Sequence, residues 1–383
     1  MAEKLNYLGA MDVSDYIHTR LQPAGFNNEG TTYVILDSYW DRLNEEQLRA
    51  FVQQCIANGQ VPGIYWSPFS DWGGRGGATM EGSSYTYNDA YLYANGVKRK
   101  IASLALDPTH PGTQKRMTYF MERFKRLGFK YIKLDFLNNG ILEADSFYDK
   151  KVTTGVQAYN KGMDYLAALC GDDLFMALSI APVFPSQYGN SRRISCDAWG
   201  ALKDTEYELN SLSFGWWLDR VYPFNDADHI VLFGNSESEN RMRVTSGVIT
   251  GTYILGDNFS QKGTFTGDVK AREKAEKFVT NADINAIGRI GKSFAPVEGY
   301  TASATNKAEE LFMLRTADAL YVAAFNLTSD SKSVTIELSR LGLPSTGKKR
   351  VKELWSGETI PLEGAFLTTI LPAKDVKVFK ISF

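Results

Sequence analysis

Apolar positions along this chain fall into two rhythms. Short unbroken apolar runs mark buried strands, and apolar residues three and four apart mark helices that bury one face. Over the first two-thirds of the chain the two alternate. Residues 32–37 read as a strand. Asn44, with Gln47 three residues on, opens a helix in capping-box form, and Leu48, Phe51, Val52, Cys55 and Ile56 give it one apolar face before Gly59 stops it. Residues 61–66 are the next strand. Met117, Phe120, Met121, Phe124 and Leu127 line a helix that ends at Gly128. Further helices are expected over 8–21 and 156–169. Strands are expected over 131–136, 174–180 and 193–199, near 222–226, and over 250–256. Seven strands alternating with helices predict an α/β fold with a parallel sheet. The length of this part, near the ~250 residues typical of the class, favours a (β/α)8 barrel, the TIM-barrel form.

Two stretches break the rhythm. Residues 70–111 form a Gly- and Tyr-rich insertion, in which Asn95-Gly96 signals a hairpin turn. From about residue 294, short runs at 310–315, 319–325, 333–338, 351–353 and 376–381 are separated by turns, as in an antiparallel β-sandwich. The chain is therefore divided into a barrel over 1–292 and a C-terminal β-sandwich domain over 293–383.

Composition narrows the chemistry. The 383 residues carry 42 basic and 44 acidic side chains, net charge −2, so charge offers no reason to expect nucleic acid or an anionic membrane as partner. No apolar run approaches the ~18 residues of a membrane-spanning helix. The opening Met1-Ala2-Glu3-Lys4-Leu5 lacks a signal peptide's apolar stretch, which slightly favours the cytoplasm. Cys55, Cys170 and Cys196, and His18, His110 and His229, are too scattered for a disulfide framework or a metal site. Neither a metal nor a cofactor is expected, and the oligomeric state is left open. Asn326-Leu327-Thr328 has the form of a glycosylation site, a triplet that also arises by chance.

Two acids stand out. Asp135 ends the run 131–136, and Asp197 lies in the run 193–199. A carboxylate ending a buried strand is costly to desolvate unless it faces a polar site. In a barrel, that end is where active sites are built. Two such carboxylates suit the nucleophile and acid/base pair of a glycosidase, which need no cofactor. Blander readings are a structural Lys133–Asp135 pair and a helix cap for Asp197. Cys196 and Trp199 flank Asp197, and as apolar neighbours they would favour its protonated form.

These residues resemble a known group. Tyr131-Ile132-Lys133-Leu134-Asp135 is similar to the nucleophile strand of the α-galactosidase families 27 and 36, glycoside hydrolase clan D. Arg193-Ile194-Ser195-Cys196-Asp197-Ala198-Trp199 resembles that clan's acid/base strand. Asn225-Asp226-Ala227-Asp228 resembles its seventh-strand Asn-Asp-x-Asp segment, and Asp37-Ser38-Tyr39-Trp40 its second-strand Asp-Asp-x-Trp motif. The order and spacing match over about residues 1–290. Two departures are visible. Ser38 replaces the second Asp of a pair that binds the sugar's O4 and O6. The family's first strand is not found, and the chain starts at the first helix, as a fragment or trimmed chain would.

The resemblance implies a retaining glycoside hydrolase that cleaves terminal α-galactosides by double displacement. Asp135 would be the nucleophile and Asp197 the acid/base. Lys133 and Arg193 would bind sugar hydroxyls, Asp37 would accept one, and Asp226 and Asp228 would support the site or form turns. Trp66 would be a stacking platform, or else barrel core. Trp72, Tyr85 and Tyr87 would line the mouth or pack the insertion, and Ala181 would leave room for an N-acetyl group. Alternatives are an α-N-acetylgalactosaminidase or a transglycosylase on the same site, or a non-catalytic carbohydrate-binding fragment.

Overall fold

The computed structural model describes residues 4–298 and 308–382. Six parallel strands form the first sheet, in the order in which they occur along the chain: β1 (Thr32–Leu36), β2 (Gln60–Trp66), β3 (Tyr131–Leu134), β4 (Phe175–Leu178), β5 (Ser191–Arg193) and β6 (Phe224–Asp226). Helix α1 (Tyr7–Tyr16) precedes the sheet, α2 (Glu45–Ala57), α3 (Pro111–Leu127), α4 (Gly155–Cys170) and α5 (Leu202–Gly215) lie in its connections, and α6 (Glu237–Thr250) follows it. Parallel neighbours need such crossovers, so the alternation in the sequence translates directly into this wall of a (β/α)8 barrel.

Local chemistry sets the helix ends. Asn44 Oδ1 accepts from the Gln47 amide at 2.9 Å and Gln47 Oε1 from the Asn44 amide at 3.0 Å, closing the box that starts α2. Gly128 ends α3 in the left-handed region at φ 99°, with its amide bonded back to Phe124 and Lys125. One position departs from the pattern: Ile56, expected on the buried face of α2, is exposed.

Strand pleating sorts the side chains. Val34, Leu36, Ile64, Trp66, Ile132, Leu134, Met176 and Leu178 are buried in the core cluster that the helices share. The alternate residues face the barrel interior. Register aligns Ile35, Gly63, Tyr131 and Phe175 in one layer, then Tyr65, Lys133, Ala177, Ser191 and Phe224 in the next, with Arg193 opposite Asp226 above. Gly63 is required here: an added Cβ would lie 2.7 Å from Ile35 Cγ1 and 3.0 Å from the Tyr131 ring.

The wall differs from the expected seven strands in two ways. The run 193–199 is a strand only as far as Arg193, and 194–200 is loop. The run 250–256 shrinks to one parallel bridge, in which the Ile230 amide bonds Ile254 O at 2.7 Å and the Gly256 amide bonds Ile230 O at 2.9 Å. The outer edge of β1 has no strand partner among the described residues. Among the described residues the barrel is thus open along one seam, in keeping with the first strand not found in the sequence.

The insertion forms its hairpin as read, pairing Tyr93–Ala94 with Val97–Lys98 around Asn95 and Gly96, both at positive φ. At the C-terminus, a six-stranded antiparallel sheet and a two-stranded sheet enclose a separate apolar cluster around Val322, Ile336, Leu367 and Phe379. This sandwich includes strands at Ala295–Pro296, Thr359–Leu362 and Phe366–Leu371 that the periodicity missed. Asn326 of the glycosylation-like triplet is fully buried, its amide donating to the carbonyls of Asp330, Leu371 and Pro372, so it is a structural asparagine.

Candidate active site

A cavity of about 1720 Å³ runs the length of the barrel interior, from Asp135 and Asp197 at the C-terminal strand ends down to Asn28 and Glu29, and takes in the seam between β1, α1 and residues 252–260. Asp37, Trp66, Lys133, Asp135, Arg193, Asp197 and Asp226 all line it.

The floor is built by β1 to β3. Asp135 follows the last residue of β3, is only 7 % exposed, and accepts from the Phe136 amide at 2.9 Å. Lys133, two residues earlier on the same face, bonds Asp37 Oδ2 at 3.0 Å. The structural pair is therefore Lys133–Asp37, which leaves Asp135 to the cavity. Burial pulls the Lys133 pKa down, but Asp37, Asp135 and Asp228 outweigh it and the net shift is upward, so the ammonium stays charged. Tyr65 lies beside these acids. Burial, then the charges of Asp135 and Asp37, push its phenol far above the ordinary value and keep it a neutral donor.

The opposite wall is organised by Arg193. Its Nη1 lies 2.9 Å from Asp197 Oδ1 and 3.2 Å from Asp228 Oδ1. Asp228 is buried, and its Oδ2 accepts from the Ala198 amide at 2.8 Å, with His229 Nδ1 at 3.1 Å from the same oxygen. Burial alone would raise the Asp228 pKa. The His229 hydrogen bond and charge, Arg193 and the Ala198 amide reverse that and bring it to about 2. Asp226 behaves in the opposite way: burial and the neighbouring Asp228 charge raise it, against the amide of Asp228 at 2.7 Å. Asp228 is therefore a support of the site rather than a simple turn former. It ties Arg193 and the loop amide of Ala198 to β6.

Three expectations need correction. Asp197 is not enclosed by apolar neighbours. Its side chain is 62 % exposed, four residues beyond the end of β5, and its partner is a guanidinium. Cys196 is exposed and its sulfur accepts from the Tyr207 hydroxyl, while the Trp199 ring packs edge-on to His229. Trp66 touches the cavity but is packed as core rather than as a platform: it is 4 % exposed, against Phe120 and under Arg116 of α3. Tyr65, one residue earlier, takes the inward position, and counting alternation back from the strand end would have found it. Ala181 is turned into the core and Ile180 lines the cavity instead. Within the insertion, Trp72 lines the cavity, whereas Tyr87 is buried on Glu81 and Tyr85 packs edge-on to His110.

Residues 310–381 match the family of the α-galactosidase C-terminal β-sandwich domain. The resemblance to the α-galactosidase group is borne out. Solved structures share the whole fold. A family 27 β-L-arabinopyranosidase from Geobacillus stearothermophilus superposes with a TM-score of 0.72 at 15 % identity, over 99 % of this chain and 93 % of that one. α-Galactosidase I from Mortierella vinacea gives 0.64 at 15 %, over 98 % and 93 %. The isomalto-dextranase of Arthrobacter globiformis T6, complexed with panose, gives 0.68 at 15 %, over 97 % and 69 %. At such identities the likeness is one of fold. No curated protein matches the chain in sequence. This α-galactosidase-like architecture puts the cavity at the strand ends, the face that barrel enzymes use.

Proposed function

We propose that this chain is a retaining glycoside hydrolase of the α-galactosidase type. One observation carries the reading: the buried carboxylate Asp135 and the rim carboxylate Asp197 open onto the same cavity, each on its own charged scaffold. In this reading Asp135 attacks the anomeric carbon while Asp197 gives its proton to the leaving oxygen. The bond to the leaving group breaks as the bond to Asp135 forms. Asp197, now a carboxylate, then takes a proton from water, which displaces Asp135 from the opposite face, so two inversions give retention. Asp37 and Lys133 hold hydroxyls at the floor, and Arg193 keeps Asp197 aimed. The resemblance points to a terminal α-galactoside as substrate.

The test is rescue. Asp135→Gly should lose nearly all turnover, and added azide should restore part of it as the β-glycosyl azide. In the wild type, proton NMR should show the α-anomer formed first. A first-formed β-anomer overturns the double displacement.

Ser38 favours a second reading of the sugar. It stands where the resembled motif has an O6-binding Asp, and only its backbone engages the Asp37 carboxylate, at 2.7 Å. β-L-Arabinopyranose has the ring hydroxyl pattern of α-D-galactose without the hydroxymethyl group, so it asks nothing of that position. It is the sugar in the name of the Geobacillus protein. Comparing kcat/KM on nitrophenyl α-galactoside, α-N-acetylgalactosaminide and β-L-arabinopyranoside decides among them.

A further inference from the structure

Trp72 is an exposed tryptophan on a clamped loop. Its indole is 53 % exposed, an arrangement that wastes apolar surface unless something covers it. Flexibility is not the reason. Asp71, the residue before it, is buried and accepts from the Tyr91 hydroxyl at 2.6 Å, Arg75 Nε at 2.9 Å and the Arg75 amide at 2.8 Å. Arg75 continues to Glu81 at 2.9 Å, and Glu81 to Arg116 of α3 at 3.2 Å. The insertion thus holds Trp72 as a bracket holds a plate.

The plate meets a second ring at the site. Trp72 packs edge-to-face on Phe136 with centroids 4.5 Å apart, and Phe136 directly follows Asp135. Phe136 sits at φ +53°, a left-handed conformation that a bulky residue adopts only at a cost in strain. Tyr39, two residues after Asp37, repeats the pattern at φ +66° and is also exposed. Glycine or asparagine would suit both positions better, yet both carry rings that line the cavity. Strain kept for the sake of an aromatic side chain at a cavity mouth points to a ligand.

We propose that Trp72 and Phe136 form a leaving-group subsite that stacks a second sugar ring beside the one attacked by Asp135. Resting on the glycosidase reading, this makes the natural substrate an α-linked oligosaccharide. A sugar fits better than a bare aromatic aglycone because the cavity lining is also polar: Arg75, in the loop that carries Trp72, lines it together with Glu81 and Arg116, to which it is linked. A pyranose has both surfaces, an apolar C–H face for the rings and a rim of hydroxyls for the charges.

The experiment compares three substrates with one glycone: an α-linked disaccharide, the nitrophenyl glycoside and the glycosyl fluoride. The fluoride has no ring to stack. Trp72→Ala should lower the ratio of kcat/KM on the disaccharide to that on the fluoride by about tenfold, mostly through KM, the size of one ring contact. Phe136→Asn, which tolerates the left-handed backbone, should lower it in the same direction, and Trp72→Phe should recover part of it. An unchanged ratio in Trp72→Ala overturns the subsite. Calorimetry on the whole chain separates this from failure of the hydrolase reading. If wild type hydrolyses nothing but binds the disaccharide about tenfold more tightly than the methyl glycoside, and Trp72→Ala abolishes the preference, the subsite stands and the chemistry falls. Equal binding of both sugars by wild type, or no binding, overturns the subsite.

Discussion

Arg193 touches two carboxylates at once, and much of the site's behaviour follows. Its contact with Asp197 holds an exposed side chain at the rim. Asp197→Ala should therefore hurt substrates with poor leaving groups far more than dinitrophenyl glycosides, which depart without a proton. Equal loss in kcat/KM on both classes would assign the acid elsewhere. Asp228 makes a claim about stability. Its pKa of about 2 lies below the unfolded value near 3.9, so its contribution, about 2.6 kcal/mol, is complete above about pH 5 and is lost as pH falls through about 2. Asp228→Asn should flatten the fall in urea midpoint across that window and lower stability at pH 7, because Arg193 is left buried with one partner fewer. Asp135 and Lys133 were legible in the sequence because strand pleating is a local rule. The company of Asp197 was not, since Cys196 and Trp199 are apolar in the sequence yet turned away from it in space. Trp66 misled for a related reason: a strand end gives no sign of which face is inward until the register is known.

Elements were legible where backbone chemistry marks their ends. Asn44 with Gln47 announced α2, and Gly128 closed α3. Asn44→Ala should cost about 1 kcal/mol, read as a shift of the urea midpoint with an unchanged slope. Strand lengths were less legible, because an apolar run continues where hydrogen bonding stops. β5 ends at Arg193 although Ile194 extends the run, and residues 250–256 contribute one bridge despite their strand-like composition. The first turn of α4 shows a constraint that no periodicity reveals. A Cβ on Gly155 would lie 2.0 Å from the Ile141 carbonyl oxygen, in the segment that leads away from Asp135. Gly155→Ala must push that backbone aside. A loss of both thermal stability and kcat is expected, and a variant with wild-type Tm would show that the segment yields freely.

At the scale of the molecule, the α/β alternation and the change to short strands near residue 294 fixed the architecture in advance. The way the two parts hold each other was not foreseeable, because it depends on side chains far apart in sequence. Arg241 of α6 makes a two-pronged pair with Asp375, at 2.9 and 2.6 Å, and Trp355 Nε1 donates to Thr245 of the same helix at 3.1 Å. Arg241→Ala should leave Asp375 short of its partner, lower the melting temperature and separate the unfolding of the sandwich from that of the barrel in calorimetry. A single unchanged transition would show the pair to be dispensable.

The edge of β1 that has no strand partner among the described residues has a consequence of a different kind. Alternate amides of Thr32–Leu36 point toward β2 and are bonded there, while the others point into the seam. Deuterium uptake along this one strand should then be two-toned, with slow and fast amides in turn, where β3, flanked on both sides, takes up label slowly throughout. An edge of this kind is also adhesive toward any extended segment that reaches it. Crowded solutions of the chain should therefore slow exactly the fast set of amides first, long before turbidity reports that molecules have begun to join.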